Sequence, residues 1–135
     1  MVWHNDLMKK RKVLASRAAS LPPRRSPCPV ACALDVLGDR WTMLVVRDLN
    51  LGRSRFKDFL ASPEGIPTNI LTERLNRLRQ HGVVEQIPAE DGTKRLAYRL
   101  TKKGRSLGPL LEAFRDWGLE WEKGTQVMIA LSQRE

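Results

Sequence analysis

The sequence lacks a long apolar run. No stretch approaches the roughly 20 residues that a membrane-spanning helix needs. A secretory leader is not expected either. Basic Lys9 to Lys12 is followed by Val13-Leu14-Ala15, but Ser16 and Arg17 cut that apolar segment short. The expected location is therefore the cytoplasm, with no membrane partner. Cysteine is scarce, with only Cys28 and Cys32 among 135 residues, so a disulfide framework is not expected. With His4 and His81 they do not form the paired spacing of a structural zinc site, so neither metal nor cofactor is expected. A phosphate-cradling glycine loop, a dinucleotide fingerprint, a His-Glu-x-x-His helix and a nucleophile elbow are all missing. An enzyme is disfavoured, since a Cys28–His81 pair would have to meet across the fold. Tyrosine occurs once, which argues against an RNA-binding sheet with exposed stacking rings.

Acidic residues are also few. There are 15 against 24 basic ones, for a net charge of +9. The imbalance is uneven along the chain. Residues 1–27 hold seven basic residues and one acidic, and residues 40–105 hold fourteen and seven. Residues 106–135 reverse the sign, with three basic and five acidic. A basic middle followed by a mildly acidic apolar end implies an anion-binding surface and a separate contact surface.

Residues 1–27 read as a basic arm. Asp6 to Ala19 has a weak helical pattern, but the three prolines of Leu21–Pro27 forbid a regular helix there. From Pro29 the pattern tightens into a single domain over 28–123, with a tail over 124–135. Pro29 starts a helix bearing Val30, Ala33, Leu34 and Leu37, which Gly38 ends. Asp39 caps a second helix with Trp41, Leu44, Val45 and Leu49 on one face, closed by Gly52. Ser54 caps a short third helix through Ala61, with Phe56, Phe59 and Leu60 inward.

Ser62-Pro63-Glu64-Gly65 is turn chemistry, and Pro67 opens a fourth helix over Thr68 to Gln80. There Leu71, Leu75 and Leu78 share one arc, facing away from Asn69, Thr72, Glu73, Asn76 and Arg77. Two short runs then flank Asp91-Gly92, a strong hairpin signal. In the second run Leu96, Tyr98 and Leu100 alternate with Arg95 and Arg99. Thr101 caps a last helix with a wide stripe of Leu107, Leu111, Phe114, Trp117 and Trp121.

The order is thus mainly α with one β-hairpin: a winged helix-turn-helix. A helix of that width enters the major groove of DNA. Thr68, Asn69, Thr72, Asn76 and Arg77 are the expected base readers, Asn suiting adenine and Arg guanine. Arg53, Arg55 and Lys57 at the preceding helix are placed for phosphates, as are Lys94 and Arg95 at the wing. Arg74, at the edge of the apolar stripe, is expected to pair internally with Asp48 or Asp58. The weighed alternatives are a winged-helix scaffold for other proteins and a nucleic-acid module without sequence preference.

Five blocks carry a resemblance: Cys28-Pro-Val, Ala33-Leu-Asp-Val-Leu-Gly-Asp-Arg-Trp41-Thr, Gly52-Arg-Ser-Arg-Phe56, Gly65-Ile-Pro-Thr-Asn-Ile-Leu-Thr-Glu-Arg-Leu75, and Tyr98-Arg-Leu-Thr-Lys-Lys-Gly104-Arg. In this order and spacing they resemble HxlR-type winged helix-turn-helix regulators of bacteria. The match covers about residues 28–121. The resemblance implies a homodimer on a pseudo-palindromic DNA operator. It also implies that the first and last core helices form the dimer seam, which would include Val30, Leu34, Leu111, Phe114, Trp117 and Trp121. Family members often carry a cysteine at the position of Cys28, in some a sensor of oxidants or electrophiles. Here Cys28 begins a helix, where the dipole favours a thiolate, with Arg24 and Arg25 nearby. The bland alternative is an inert thiol at the seam. Cys32, one turn on, either resolves an oxidised Cys28 or packs as a small apolar residue. The sequence names no small-molecule effector.

Overall fold

Pro29 opens the first helix, α1 (Pro29–Leu37), at a position where its missing N–H would have had no partner. Gly38 ends it, with its N–H donating to the Leu34 carbonyl at 2.7 Å. The structure, a computed structural model, describes residues 23–127. Residues 1–22, with the helix expected over Asp6 to Ala19, and residues 128–135 lie outside the described residues.

Asp39 caps the second helix, α2 (Thr42–Asn50), as expected. Its carboxylate accepts from the Trp41 N–H at 2.8 Å, the Thr42 N–H at 3.0 Å and the Thr42 hydroxyl at 2.5 Å. The inner face is Val45, Val46 and Leu49, while Trp41 and Leu44 are only half-buried. The third helix, α3 (Phe56–Leu60), is shorter than the sequence implies. Ser54 does not cap it. The Asp58 carboxylate instead reaches back to the N–H groups of Arg55 at 3.0 Å and Ser54 at 3.4 Å. Phe59 is buried and Phe56 half-buried, but Leu60, expected inward, is exposed.

Ser62 to Gly65 forms the tight turn, with Gly65 in the left-handed region at φ +68°. After Pro67 the helix α4 (Thr68–Gln80) runs over the expected residues, with Leu71, Leu75 and Leu78 buried. The strands β1 (Val84–Pro88) and β2 (Leu96–Leu100) pair antiparallel from Val84↔Leu100 to Pro88↔Leu96. Asp91 Oδ1 accepts from the N–H and hydroxyl of Thr93, which tightens the connecting loop. The alternation holds at Leu100 and Tyr98 and fails at Leu96, which is exposed, while Ala97 is buried. Leu96 and its partner Pro88 form the last pair of the ladder and both stand in solvent.

The expected single last helix is two: α5 (Lys102–Arg105) and α6 (Gly108–Trp121). Thr101 caps α5 through its hydroxyl, which accepts from the Gly104 N–H at 3.1 Å. Pro109 explains the break. It has no N–H for the Arg105 carbonyl, and its ring excludes a continuous turn.

The core lies between α2, α4 and the hairpin, centred on Val46, Phe59, Leu71, Leu75 and Leu78. Gly104 seats α5 against this body. A β-carbon there would lie 2.2 Å from the Val83 carbonyl oxygen and 2.9 Å from Leu100 Cδ2. Gly104→Ala is expected to cost about 1–3 kcal/mol in thermal or urea unfolding, because backbone rather than a side chain must move. An unchanged melting temperature would refute the close packing. Neither α1 nor α6 contributes a buried residue. Val36, Leu107 and Leu111 only pack partly against the core.

Candidate nucleic-acid interface

The exposed arc of α4 follows from its period. With its leucines on one side, Thr68, Asn69, Thr72 and Asn76 come to stand in solvent. The Thr72 hydroxyl donates to the Thr68 carbonyl at 3.0 Å, which fixes its rotamer. Arg79 and Gln80 are exposed in the last turn and were missed by the sequence reading. Arg79 falls beside Thr68 and Thr72 on the 100° wheel, and Gln80 beside Asn69, which is the signal that finds them.

Arg77 departs from expectation. It is half-buried, and its Nη2 donates to Asp39 Oδ2 and to the Thr42 hydroxyl, the latter at 3.1 Å. It is turned towards α2 and not towards a base. Arg74 does pair internally, but with Asp39, Nε to Oδ1 at 3.1 Å, and with its neighbour Glu73, not with Asp48 or Asp58. Asp39 thus caps α2 and receives two guanidinium groups from α4. Burial opposes its charge. The Thr42 hydroxyl, the Trp41 N–H, Arg74 and the Thr42 N–H overcome that and hold its carboxyl well below the usual range.

Arg53 departs as well. It is buried, donating to Ser62 Oγ and lying 3.4 Å from Asp48 Oδ1. It braces the turn from inside and presents no charge to a phosphate. Arg55 donates to Asp91 Oδ2 at 2.7 Å and so ties the start of α3 to the wing loop. The Thr93 hydroxyl, then Arg55, hold the Asp91 carboxyl well below its usual value. Lys57, Lys94 and Arg95 are exposed, as their assignment requires. So are Lys102 and Lys103, the latter donating to the His81 carbonyl at 2.7 Å near the end of α4. Burial, then Lys103 and Arg77, push the His81 imidazole below its ordinary pKa.

Cys28 is exposed at the position before α1, and its N–H donates to Ser26 Oγ at 3.1 Å. Cys32 Sγ donates to the Ser26 carbonyl at 3.1 Å. Arg25, expected to support a thiolate, is drawn instead to Asp35 at 2.6 Å.

A short helix, a tight turn, a polar-faced helix and a basic hairpin define a winged helix-turn-helix. The chain belongs to the HxlR-like helix-turn-helix family, whose profile matches residues 36–126. It is 34% identical over 94 residues to the HTH-type transcriptional regulator sll1512 of Synechocystis, 70% of each chain. It is 36% identical over 89 residues to the regulator YvaP of Bacillus subtilis, covering 66% of this chain and 82% of that one. Among solved structures, PA1607 superposes with a TM-score of 0.71 at 46% identity, over 78% of this chain and 75% of that one. The redox regulator HypR in its reduced form gives 0.64 at 28% identity, over 71% and 95%. The protein is thus a helix-turn-helix transcriptional regulator, as its relatives are named. Among the described residues no helix is long and apolar enough to cross a membrane.

Proposed function

We propose that the protein is a homodimer that reads a pseudo-palindromic DNA operator, with residues 28–123 as the DNA-binding and dimerising unit. The carrying observation is the exposed polar face of Thr68, Asn69, Thr72 and Asn76 beside the exposed cations Lys57, Lys94 and Arg95. Base edges meet the first group, and phosphates the second. The basic arm, residues 1–27, adds phosphate affinity without sequence preference.

The dimer seam uses the apolar faces of α1 and α6. Val30, Leu34, Phe114, Trp117 and Trp121 are each more than half exposed, which leaves large apolar side chains for a partner copy to cover. Leu111 faces the core in part, so it supports the seam from behind. Cys28, exposed at the edge of that face, is a thiol whose oxidation or alkylation alters DNA binding. HypR, matched also in its oxidised form, is a redox regulator of the same architecture. Cys32, held by the Ser26 carbonyl, is the companion thiol one turn away.

The test is binding to the intergenic DNA beside the gene and to random DNA of equal length, at two salt concentrations, with and without an alkylating reagent. Selective binding lost on alkylation supports both the operator reading and the thiol. Equal, salt-labile binding to both DNAs leaves only a basic surface and overturns the operator reading. Alkylation of Cys28 no faster than a free thiol overturns the sensor. Asn76→Ala is expected to cost about 1–3 kcal/mol on the operator and little on random DNA. Lys94→Ala is expected to weaken both alike and to lower the salt slope by about one. Because Arg77 pairs with Asp39, Arg77→Ala is expected to lower the melting temperature and leave base preference intact.

A further inference from the structure

Between α3 and the wing runs an open groove of about 500 Å³, within the roughly 300–1,000 Å³ range of small-molecule sites. Its floor is apolar. Phe56 and Leu60 come from α3, and Leu96 and Tyr98 from β2. Leu60 and Leu96 are 37% and 48% exposed, so two leucines that the sequence assigns to the core face this groove instead. Its rim is cationic. Lys57 stands on one wall beside Arg55, whose charge Asp91 answers from behind the rim, and Lys94 and Arg95 stand on the other. The Tyr98 oxygen accepts from Gln86 Nε2 at 3.1 Å, which leaves the phenol hydrogen to donate to a further acceptor.

We propose that this groove binds an organic anion with an aromatic or branched apolar body. The charge of the rim selects the anion and the floor selects the body. A DNA phosphate would satisfy the cations but would leave Leu60 and Leu96 in water. The occupant would also neutralise Lys57, Lys94 and Arg95, the cations proposed above for phosphates. Ligand and DNA then weaken each other by the same factor. This second consequence rests on the operator reading, and the groove itself does not.

Tyr98 is the one tyrosine of the chain, so meta-fluorotyrosine places a single fluorine reporter in the groove. Naphthoate, added to the full-length protein without DNA, is expected to shift that signal saturably. Acetate, with charge but no body, and naphthalenemethanol, with body but no charge, are expected to bind at least about tenfold more weakly. Leu60→Asp is expected to weaken naphthoate by a similar factor, and Leu96→Asp serves if that variant fails to fold. A naphthoate response matched by acetate, matched by the alcohol, or unchanged in both variants would overturn the proposal, as would no response at all. The same titration against operator-bound protein keeps the two readings apart. Naphthoate binding without any selective DNA binding sinks the operator and keeps the groove. Selective DNA binding without naphthoate binding does the reverse.

Discussion

Replacing Asp48 with alanine is expected to lower the unfolding free energy by about 3–5 kcal/mol, the usual cost of orphaning a buried charge. Asp48 lies on α2 and is 3% exposed. Its Oδ1 accepts from Arg47 Nη2 at 3.0 Å and lies 3.4 Å from Arg53 Nη1. Its Oδ2 accepts from the Ser62 hydroxyl at 2.5 Å. Asp48 is the one carboxylate that pairs with Arg53 among the described residues, and Arg53 is itself buried. Arg47 is better supplied, since it also grips Glu64 through two bonds of 2.7 and 2.9 Å and holds that carboxyl below its usual range. The loss therefore falls on Arg53 and Ser62. Removing the cation as well, in Asp48→Ala with Arg53→Ala, is expected to recover part of the stability, because no charge is then left unpaired. Urea unfolding of the three forms reads this directly, and a drop below about 1 kcal/mol, the scale of an exposed pair, would refute the network. Ser62 and Glu64 belong to the turn between α3 and α4. The same substitution is thus expected to loosen the angle at which α4 is presented and to weaken operator binding beyond the loss of folded protein.

That network also shows what the sequence can and cannot convey. Punctuation was legible. Pro29 with Gly38 bounds α1, and Pro67 starts α4 at Thr68, because each residue type restricts the backbone on its own account. The buried leucines of α4 were legible because a 100° step places them without knowing the partner. Arginine was not. The wheel places Arg77 on the outer arc, but its side chain is long enough to fold back onto Asp39, 38 residues earlier in the chain. Arg53 likewise reads as a loop cation until Asp48 and Ser62 close around it. Leu60 and Leu96 have the right character for a core and sit at the ends of their elements, where nothing covers them. The break at Pro109 is written in the sequence, but the apolar stripe runs on from Leu107 to Trp121 and reads as one helix.

Trp117→Glu is expected to turn the protein into a monomer at micromolar concentration and to lower operator affinity by about 10²–10⁴-fold, the gain that linking two half-site readers provides. Trp117 is 60% exposed on α6, one turn from Phe114 and Trp121, so the folded monomer loses little when it goes. A carboxylate at the centre of an apolar seam is different, since it must be buried without a partner in every dimer. Sedimentation should show half the mass, with the helix content unchanged by circular dichroism, because the monomer's own core is untouched. Binding to random DNA should fall much less, because Lys94 and Arg95 remain on each copy. A Trp117→Glu protein that stays dimeric with full operator affinity would place the seam elsewhere and leave the apolar faces of α1 and α6 for another partner. If the seam is here, the thiol acquires a route to the DNA. Cys28 stands just before α1, two residues ahead of Val30, so a group added to its sulfur meets the partner copy before it meets anything in its own core. The distance between the two copies of α4 would then shift, and half-site spacing is the one quantity that a dimeric reader cannot compromise.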